Sequence, residues 1–409
     1  MRRHIQIDGA HLSLRLNKLA AVGAIPGGGA CRLALTAADK AGRDLVVEWM
    51  HELGLAVATD SVGNVIATRE GTAGGPPVMT GSHIDTVATG GRYDGCLGVL
   101  AGLEVIATLN EAAVVTKRPL AVAFFTNEEG CRFHPDMFGS LVYAGGLPIN
   151  RALATVTVDG ATVAEELGRI GYAGSEPATK QPPHAYIELH IEQGPILHAE
   201  NIRIGAVESV QGISWTEFTL TGQANHAGTT PMRMRHDAGY VAAEIAVFAR
   251  RLARDIGGAQ VATVGALTLS PNLPNVVAGT AVLTVDLRNT DNTQLQDAEN
   301  RLFAFAAETA AAEGVAITQR SLVRFDPVIF APDLVARVEA IAREAGLSVK
   351  RLPSGAGHDA QMLAAICPAC MIFVPSVNGI SHNVQEYTAP EDLEAGANIL
   401  LRLMLELAG

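Results

Sequence analysis

The stretch from Met79 to Gly98, MTGSHIDTVATGGRYDGCLG, places His83, Asp85 and Asp94 within a dozen residues of one another. Histidine is a neutral nitrogen ligand and aspartate an anionic oxygen ligand, so such a pair forms half a metal site, with Asp85 as an acceptor able to fix the His83 ring. The same three residues could serve as polar groups of a surface loop. A second acid-bearing segment follows the apolar run Ala121–Thr126, which ends in Asn127, Glu128 and Glu129. Adjacent residues at a strand end point in different directions, so one of these acids can bind metal while its neighbour faces substrate. HAYIELHIEQGPIL alternates like a strand and carries Glu188, His190, Glu192 and Gln193 before Gly194 and Pro195 stop it. CMIFVPSVNGISHNVQEYT ends another apolar run in a loop bearing His382, with Asn383 and Glu386 beside it. Taken singly, each histidine is better read as a hydrogen-bonded structural group and each acid as a solvated loop residue. Four separate strand ends bearing His, Asp or Glu are harder to dismiss, because open α/β sheets build their sites at the carboxyl ends of strands.

The elements that must position these residues follow from periodicity. A strand from Pro77 to Ser82 delivers His83, and Gly90, Gly91 and Gly95 let the backbone fold Asp94 back towards it. Leu45, Val46, Trp49, Met50 and Leu53 recur at helical spacing between Ala37 and Leu55, a strand is expected over Gly63–Arg69, and Leu97–Leu109 reads as a buried helix. The segment 212–325 changes character, reading as Ile213–Gly222 (strand), Ala238–Ile256 (helix), Val261–Leu269 and Val276–Asn289 (strands), Asn292–Glu313 (helix) and Val315–Arg324 (strand). That βαββαβ order predicts an inserted α+β domain with its own antiparallel sheet. The expected architecture is α/β in two domains. Residues 1–211 and 326–409 form a catalytic domain with a mainly parallel, helix-covered sheet, and 212–325 form the insertion. Gly71–Pro77 reads as a flexible turn and Gly174–Pro183 as a polar loop.

Length and composition bound the function. A chain of 409 residues, 48% of them apolar, has material for more than one core. Its formal net charge of −12, with no basic run beyond pairs such as Arg250-Arg251, argues against nucleic-acid and anionic-membrane surfaces and favours a small-molecule partner. The N-terminal MRRHIQIDGAHLSL has no uninterrupted apolar core and no later segment approaches a membrane span, so a cytoplasmic protein is expected. The five cysteines, 31, 96, 131, 367 and 370, do not make a disulfide framework. Cys367 and Cys370 form a lone CxxC, better read as a buried or incidental thiol pair than as a zinc or redox site.

In order along the chain, GSHIDTV, GGRYDGCLGV, FTNEEGCRF, HIEQGP, GQANHAGTTPMRMRHDA, LPNVVAG, TVDLRN, SGAGHDAQ and SHNVQEYT resemble the hydantoinase/carbamoylase group of amidases. This group comprises N-carbamoyl-L-amino-acid hydrolases, allantoate amidohydrolases and β-ureidopropionases, within a larger clan of two-metal exopeptidases and aminoacylases. The resemblance implies that His83 and His190 hold one divalent ion, Glu129 and His382 the other, and that Asp94 bridges them. It further implies Glu128 as the general base and Asp85 as the orienter of His83. The insertion resembles the clan's dimerisation or lid domain, which implies a homodimer. His226 matches the histidine that donates to the substrate oxyanion, reaching the neighbouring chain's metal site. Asn275 and Arg288 match carboxylate-recognising residues, Gln211 falls at the hinge, and Gln193 and Gly357 fall in the motifs that line the substrate pocket. A surface ion pair for Arg288 and an N-cap or turn role for Asn275 are the plainer alternatives.

Two carboxylates and three neutral imidazoles carry −2, so two divalent ions leave such a cluster at +2, or +1 once a hydroxide bridges them. That residual charge suits water activation, with Glu128 taking the proton. Zinc suits this ligand set best, and manganese, cobalt or nickel could also occupy it. The clan's peptidases usually carry an acid where this chain has His190. The expected activity is therefore cleavage of the carbamoyl C–N bond of N-carbamoyl-L-amino acids or related ureido acids. Its rivals are an aminoacylase or dipeptidase on the same site, and a non-catalytic metal-binding scaffold, against which Glu128 argues because a scaffold needs no base.

Overall fold

Apolar runs too short for helices become strands covered on both faces. In Val78–His83, Leu120–Phe125, Ala185–Ile191 and Ala369–Val374 every residue is buried. These four strands lie side by side and parallel, in the order Leu120–Phe125, Val78–His83, Ala185–Ile191, Ala369–Val374. Because all four run the same way, their carboxyl ends share one edge of the sheet, and His83, the 126–129 turn and the residues after Ile191 and Val374 emerge there. The computed structural model describes residues 5–157, 160–178 and 181–409; residues 1–4 of the N-terminal stretch and 179–180 of the polar loop lie outside them.

The parallel core continues into antiparallel flanks, making nine strands in all. Val65–Arg69 pairs antiparallel with Leu120–Phe125, Ala56–Thr59 extends that side, and Ile204–Val210 pairs antiparallel with Ala369–Val374. Sequence periodicity anticipates the core but not Ala56–Thr59 or Ile204–Val210. Cys96–Glu111 is apolar on all sides and every residue from Cys96 to Leu109 is buried. Each fully buried Leu, Val or Ile there contributes about 1.5–3 kcal/mol, and the helix follows Asp94 by one residue, so this packing anchors one end of the acid's turn. An unanticipated helix, Gly9–Ala20, buries Leu12, Leu16 and Leu19 together with Arg15, which reaches the buried Glu104 at 3.3 Å.

The chain divides into two compact units, Met1–Glu208 with Ile329–Gly409, and Ser209–Val328. The second holds a four-stranded antiparallel sheet in the order Ala316–Phe325, Gly212–Thr221, Thr280–Asn289, Val261–Ser270. Helices Ala238–Ile256 and Asn292–Glu313 pack on it through Val241, Ile245, Leu295 and Leu302 against Phe218, Leu220, Leu283 and Leu287. The single strand expected over Val276–Asn289 is two. Val276–Val277 pairs with Asn225–His226, and after Ala278 and Gly279 the chain enters the main sheet as Thr280–Asn289. All five thiols are free, and Cys367 and Cys370 are buried. Among the described residues no helix is long and apolar enough to cross a membrane.

Candidate active site

Asp94 is the centre of the cluster. Its Oδ1 lies 3.2 Å from His190 Nε2 and 3.6 Å from His83 Nε2, and its Oδ2 lies 3.3 Å from His382 Nε2. His382 Nε2 is also 3.3 Å from Glu129 Oε2, and His83 Nε2 is 3.3 Å from Glu128 Oε2. Two groups able to hold a metal ion thus share this carboxylate: His83, Asp94 and His190 on one side, and Asp94, Glu129 and His382 on the other. The turn demands glycine at position 95. Gly95 has φ +64°, and a Cβ on it would stand 2.4 Å from His83 Nε2.

Backbone carbonyls set the tautomers. His83 Nδ1 lies 2.9 Å from the Asp85 carbonyl and His190 Nδ1 lies 2.8 Å from the Ile191 carbonyl. A carbonyl only accepts, so each Nδ1 carries the proton and each Nε2 turns a lone pair towards Asp94. Lone pairs of neutral imidazoles facing carboxylate oxygens repel unless a proton or a cation lies between them, and a divalent ion suits this nitrogen and oxygen set. The same crowding appears in the acids. Burial, with Asp359, Glu129 and Asp94 nearby, pushes Glu128 well above the usual carboxylate range, and burial with Asp94 pushes Glu129 up to about 8. Asp94 is drawn the other way: burial raises it, and when the surrounding imidazoles of His190, His382 and His83 carry a proton towards it their combined pull outweighs that effect. The residues fit a metal centre.

Asp85 meets His83 with its main chain and not with its carboxylate. The group that orients His83 is the main-chain carbonyl of Asp85, while the Asp85 carboxylate accepts the backbone N–H groups of Glu128 (3.3 Å) and Glu129 (3.4 Å). Two residues beyond the strand end, the side chain has turned to the neighbouring strand's amides, which have no ladder partner there. Gln193 has φ +57°, its N–H donates to Ser376 Oγ at 3.0 Å, and its side-chain amide donates to Asp94 Oδ2 at 2.8 Å. Gly357 lies against Met137, whose sulfur would be 3.0 Å from an added Cβ.

The remaining expected residues lie in the second unit. His226 is exposed, and its Nδ1 accepts N–H groups from Gly228 (3.0 Å) and Thr229 (3.2 Å). Its proton is therefore on Nε2, making that nitrogen a donor. His226 pairs with Val276, and Ala227 N–H donates to the Asn275 carbonyl at 2.9 Å, so His226 and Asn275 are neighbours. Arg288 grips Asp286, with Nε 3.1–3.2 Å from both carboxylate oxygens and Nη2 3.0 Å from Oδ2. Gln211 Nε2 makes a long contact, 3.5 Å, with the Ala259 carbonyl.

Comparison with known proteins places this geometry. The sequence profile of Peptidase family M20/M25/M40 matches residues 79–406. The chain is 43% identical over 394 residues to an N-carbamoyl-L-amino-acid amidohydrolase of Rhizobium meliloti, covering 96% of this chain and 95% of that protein. It is 40% identical to an N-carbamoyl-L-amino acid amidohydrolase of Geobacillus stearothermophilus, covering 98% and 99%. The crystal structure of a hydantoinase/carbamoylase family amidase from Burkholderia multivorans superposes with a TM-score of 0.96 at 47% identity, covering 99% and 98%. The chain belongs to the M20/M25/M40 family, in its hydantoinase/carbamoylase group.

This family member adds a further histidine, His358, beside its cluster. His358 packs edge-to-face on His190, ring centres 4.6 Å apart, and its Nε2 is 2.8 Å from Ser354 Oγ. Glu188, His190 and His358 form a third group close enough to hold a metal ion. The Glu188 oxygens, however, already accept from Ser82 Oγ (2.6 Å) and the Ala360 amide (2.7 Å), so this carboxylate supports the layer beneath the cluster. In the sequence, His358 is marked by its place in SGAGHDAQ.

Proposed function

We propose that the protein is an N-carbamoyl-L-amino-acid amidohydrolase that holds two divalent metal ions, one at His83, Asp94 and His190 and one at Asp94, Glu129 and His382. The observation that carries this reading is the Asp94 carboxylate facing three imidazoles, with Glu128 immediately beside them. The identity of more than 40% to a named carbamoyl-amino-acid amidohydrolase over nearly the whole chain supports the substrate class. When bound, the ions supply a Lewis acid for the substrate carbonyl and lower the pKa of water, and zinc is the best fit to the ligand set.

The chain's own residues do the rest. Glu128 takes a proton from the attacking water and hands it to the amino-acid nitrogen as the carbamoyl C–N bond breaks. The amino acid leaves with that proton, and the carbamate left behind decomposes to carbon dioxide and ammonia. His226, with its proton on Nε2, donates to the oxyanion that forms on the carbonyl oxygen. Asn275 and Arg288 hold the substrate carboxylate, and Gln193 positions Asp94 and the carbamoyl group.

The working form in this reading is a homodimer built through the second unit. Val261–Ser270 is an edge strand with Val261 and Leu267 exposed, and the helix Ala238–Ile256 exposes Val247 and Tyr240. A bare edge strand flanked by apolar side chains is a template for a second copy. Incubating the protein with N-carbamoyl-L-amino acids and with N-acyl-L-amino acids, and assaying ammonia and free amino acid in parallel, tests the activity. Ammonia equimolar with amino acid from the carbamoyl series supports the proposal; faster release of amino acid from the acyl series would make the enzyme an aminoacylase.

A further inference from the structure

We infer that Glu386 is a positioning residue that aims Asp94 and ties the Asp94 turn to the His382 loop, so that the ion at Asp94, Glu129 and His382 depends on it. The inference rests on the two-ion reading above. Glu386 Oε1 accepts three consecutive backbone N–H groups, from Arg92 (3.0 Å), Tyr93 (2.9 Å) and Asp94 (3.3 Å). Its Oε2 lies 3.1 Å from Ser381 Oγ, and that same hydroxyl lies 3.2 Å from Asp94 Oδ2. One carboxylate therefore fixes the backbone of the turn that presents Asp94, and Ser381, with one O–H to give, can donate to only one of the two acids at a time. Gly91 makes room for this contact, since a Cβ there would stand 2.1 Å from Glu386 Oε1.

The dependence is unequal on the two sides. His83 and His190 are buried at strand ends, with their rings held by carbonyls of their own segments. His382 has a half-exposed side chain and φ +53°, and it comes from a loop turned by the Glu386 N–H to Asn383 carbonyl bond. Thr89 Oγ1 reaches the His382 carbonyl at 3.3 Å, a second, weaker link to the Asp94 turn. Residues that hold metal ligands in place typically change affinity by about 10- to 100-fold when lost. That loss should fall on the His382 side.

The test is stepwise titration of metal-free protein with Co²⁺, followed by calorimetry and by visible absorption, which reports the coordination of each ion. A His382→Ala variant identifies the band of its site. Glu386→Ala and Gly91→Ala should weaken the His382-side ion by about 10- to 100-fold and alter its absorption, with the His190-side ion little changed. Glu386→Gln, which keeps an acceptor for the amides, should recover part of the loss. Gly91→Ala attacks the same contact with the carboxylate still present, so the comparison stands if Glu386→Ala is insoluble. Unchanged affinities in Glu386→Ala or Gly91→Ala, or equal weakening of both ions, would overturn the inference. Fewer than two ions in the unsubstituted protein would instead overturn the two-ion reading on which it rests.

Discussion

The Asp85 carboxylate accepts the backbone N–H groups of Glu128 and Glu129 while the Asp85 carbonyl holds the His83 ring, so one residue serves two neighbouring strand ends with different atoms. An asparagine at 85 keeps the carbonyl and one acceptor oxygen but turns an NH₂ towards a backbone N–H. Asp85→Asn should therefore displace the Glu128–Glu129 turn and leave His83 oriented. The expected result is a fall in kcat of about 10- to 100-fold with little change in affinity at the His83 and His190 site. Loss of the ion at that site, with kcat per loaded molecule preserved, would show that the carboxylate acts on His83 instead.

Glu128 and Glu129 are adjacent, yet they face different partners, His83 and His382. If Glu128 is the base and not a ligand, Glu128→Gln should lower turnover by roughly 10²–10⁴-fold with metal content unchanged. Glu129→Gln should lower metal content at limiting metal. Metal analysis beside single-substrate kinetics separates the two, and a Glu128→Gln variant with full activity would remove that residue from the chemistry.

For Arg288 the structure adds a competitor. Asp286, two residues away and on the same face of its strand, already grips the guanidinium. If Arg288 also holds the substrate carboxylate, Arg288→Lys should raise KM for the acid far more than for its neutral amide analogue, because a point charge replaces a planar fork. Asp286→Asn should lower KM for the acid by freeing that fork. Equal changes on both substrates in the Arg288→Lys variant would assign the residue to the Asp286 pair alone.

The contrast between Asp85 and the cluster indicates what sequence conveys. That the strand ends bearing His83, the Glu128–Glu129 pair and His190 lie together is readable because short apolar runs imply parallel buried strands, and parallel strands place their ends together; which of these side chains face Asp94 is implied only by the family resemblance. Which atom of Asp85 faces His83 is not readable, because that depends on the path of two residues beyond a strand. The Asp286–Arg288 pair is legible in TVDLRN, where period-two spacing sets both on one face of the strand. The helix Gly9–Ala20 was obscured by Arg15, a charge on its buried face whose partner Glu104 lies 89 residues away. The split of Val276–Asn289 falls at Ala278 and Gly279, where the glycine is a break signal but the apolar run on either side reads as one strand.

Removal of metal should make stability depend on pH. In the metal-free protein, burial and Asp94 raise Glu129 from its ordinary 4.5 to about 8, and the hydrogen bond to Asp94 raises His382 from 6.5 to about 9. The folded chain then holds more protons than the unfolded chain between about pH 4.5 and 9, so its stability falls as pH rises through that window. For His382 the stabilisation is complete below about 6.5 and lost through 9, while the buried Glu129 carboxyl becomes a charged burden as pH rises from 4.5 through 8. Both act in the same direction, and the depressed Asp94 contributes only in more acid solution, where its stabilisation is lost. A bound ion displaces these protons and removes the dependence, and its affinity should rise with pH as the ligands give them up. Thermal melts of chelator-treated and zinc-loaded protein across about pH 5 to 9 should therefore diverge towards the alkaline end. Parallel curves, or a metal-free protein that becomes more stable as pH rises, would show that these side chains do not share their protons as the geometry requires.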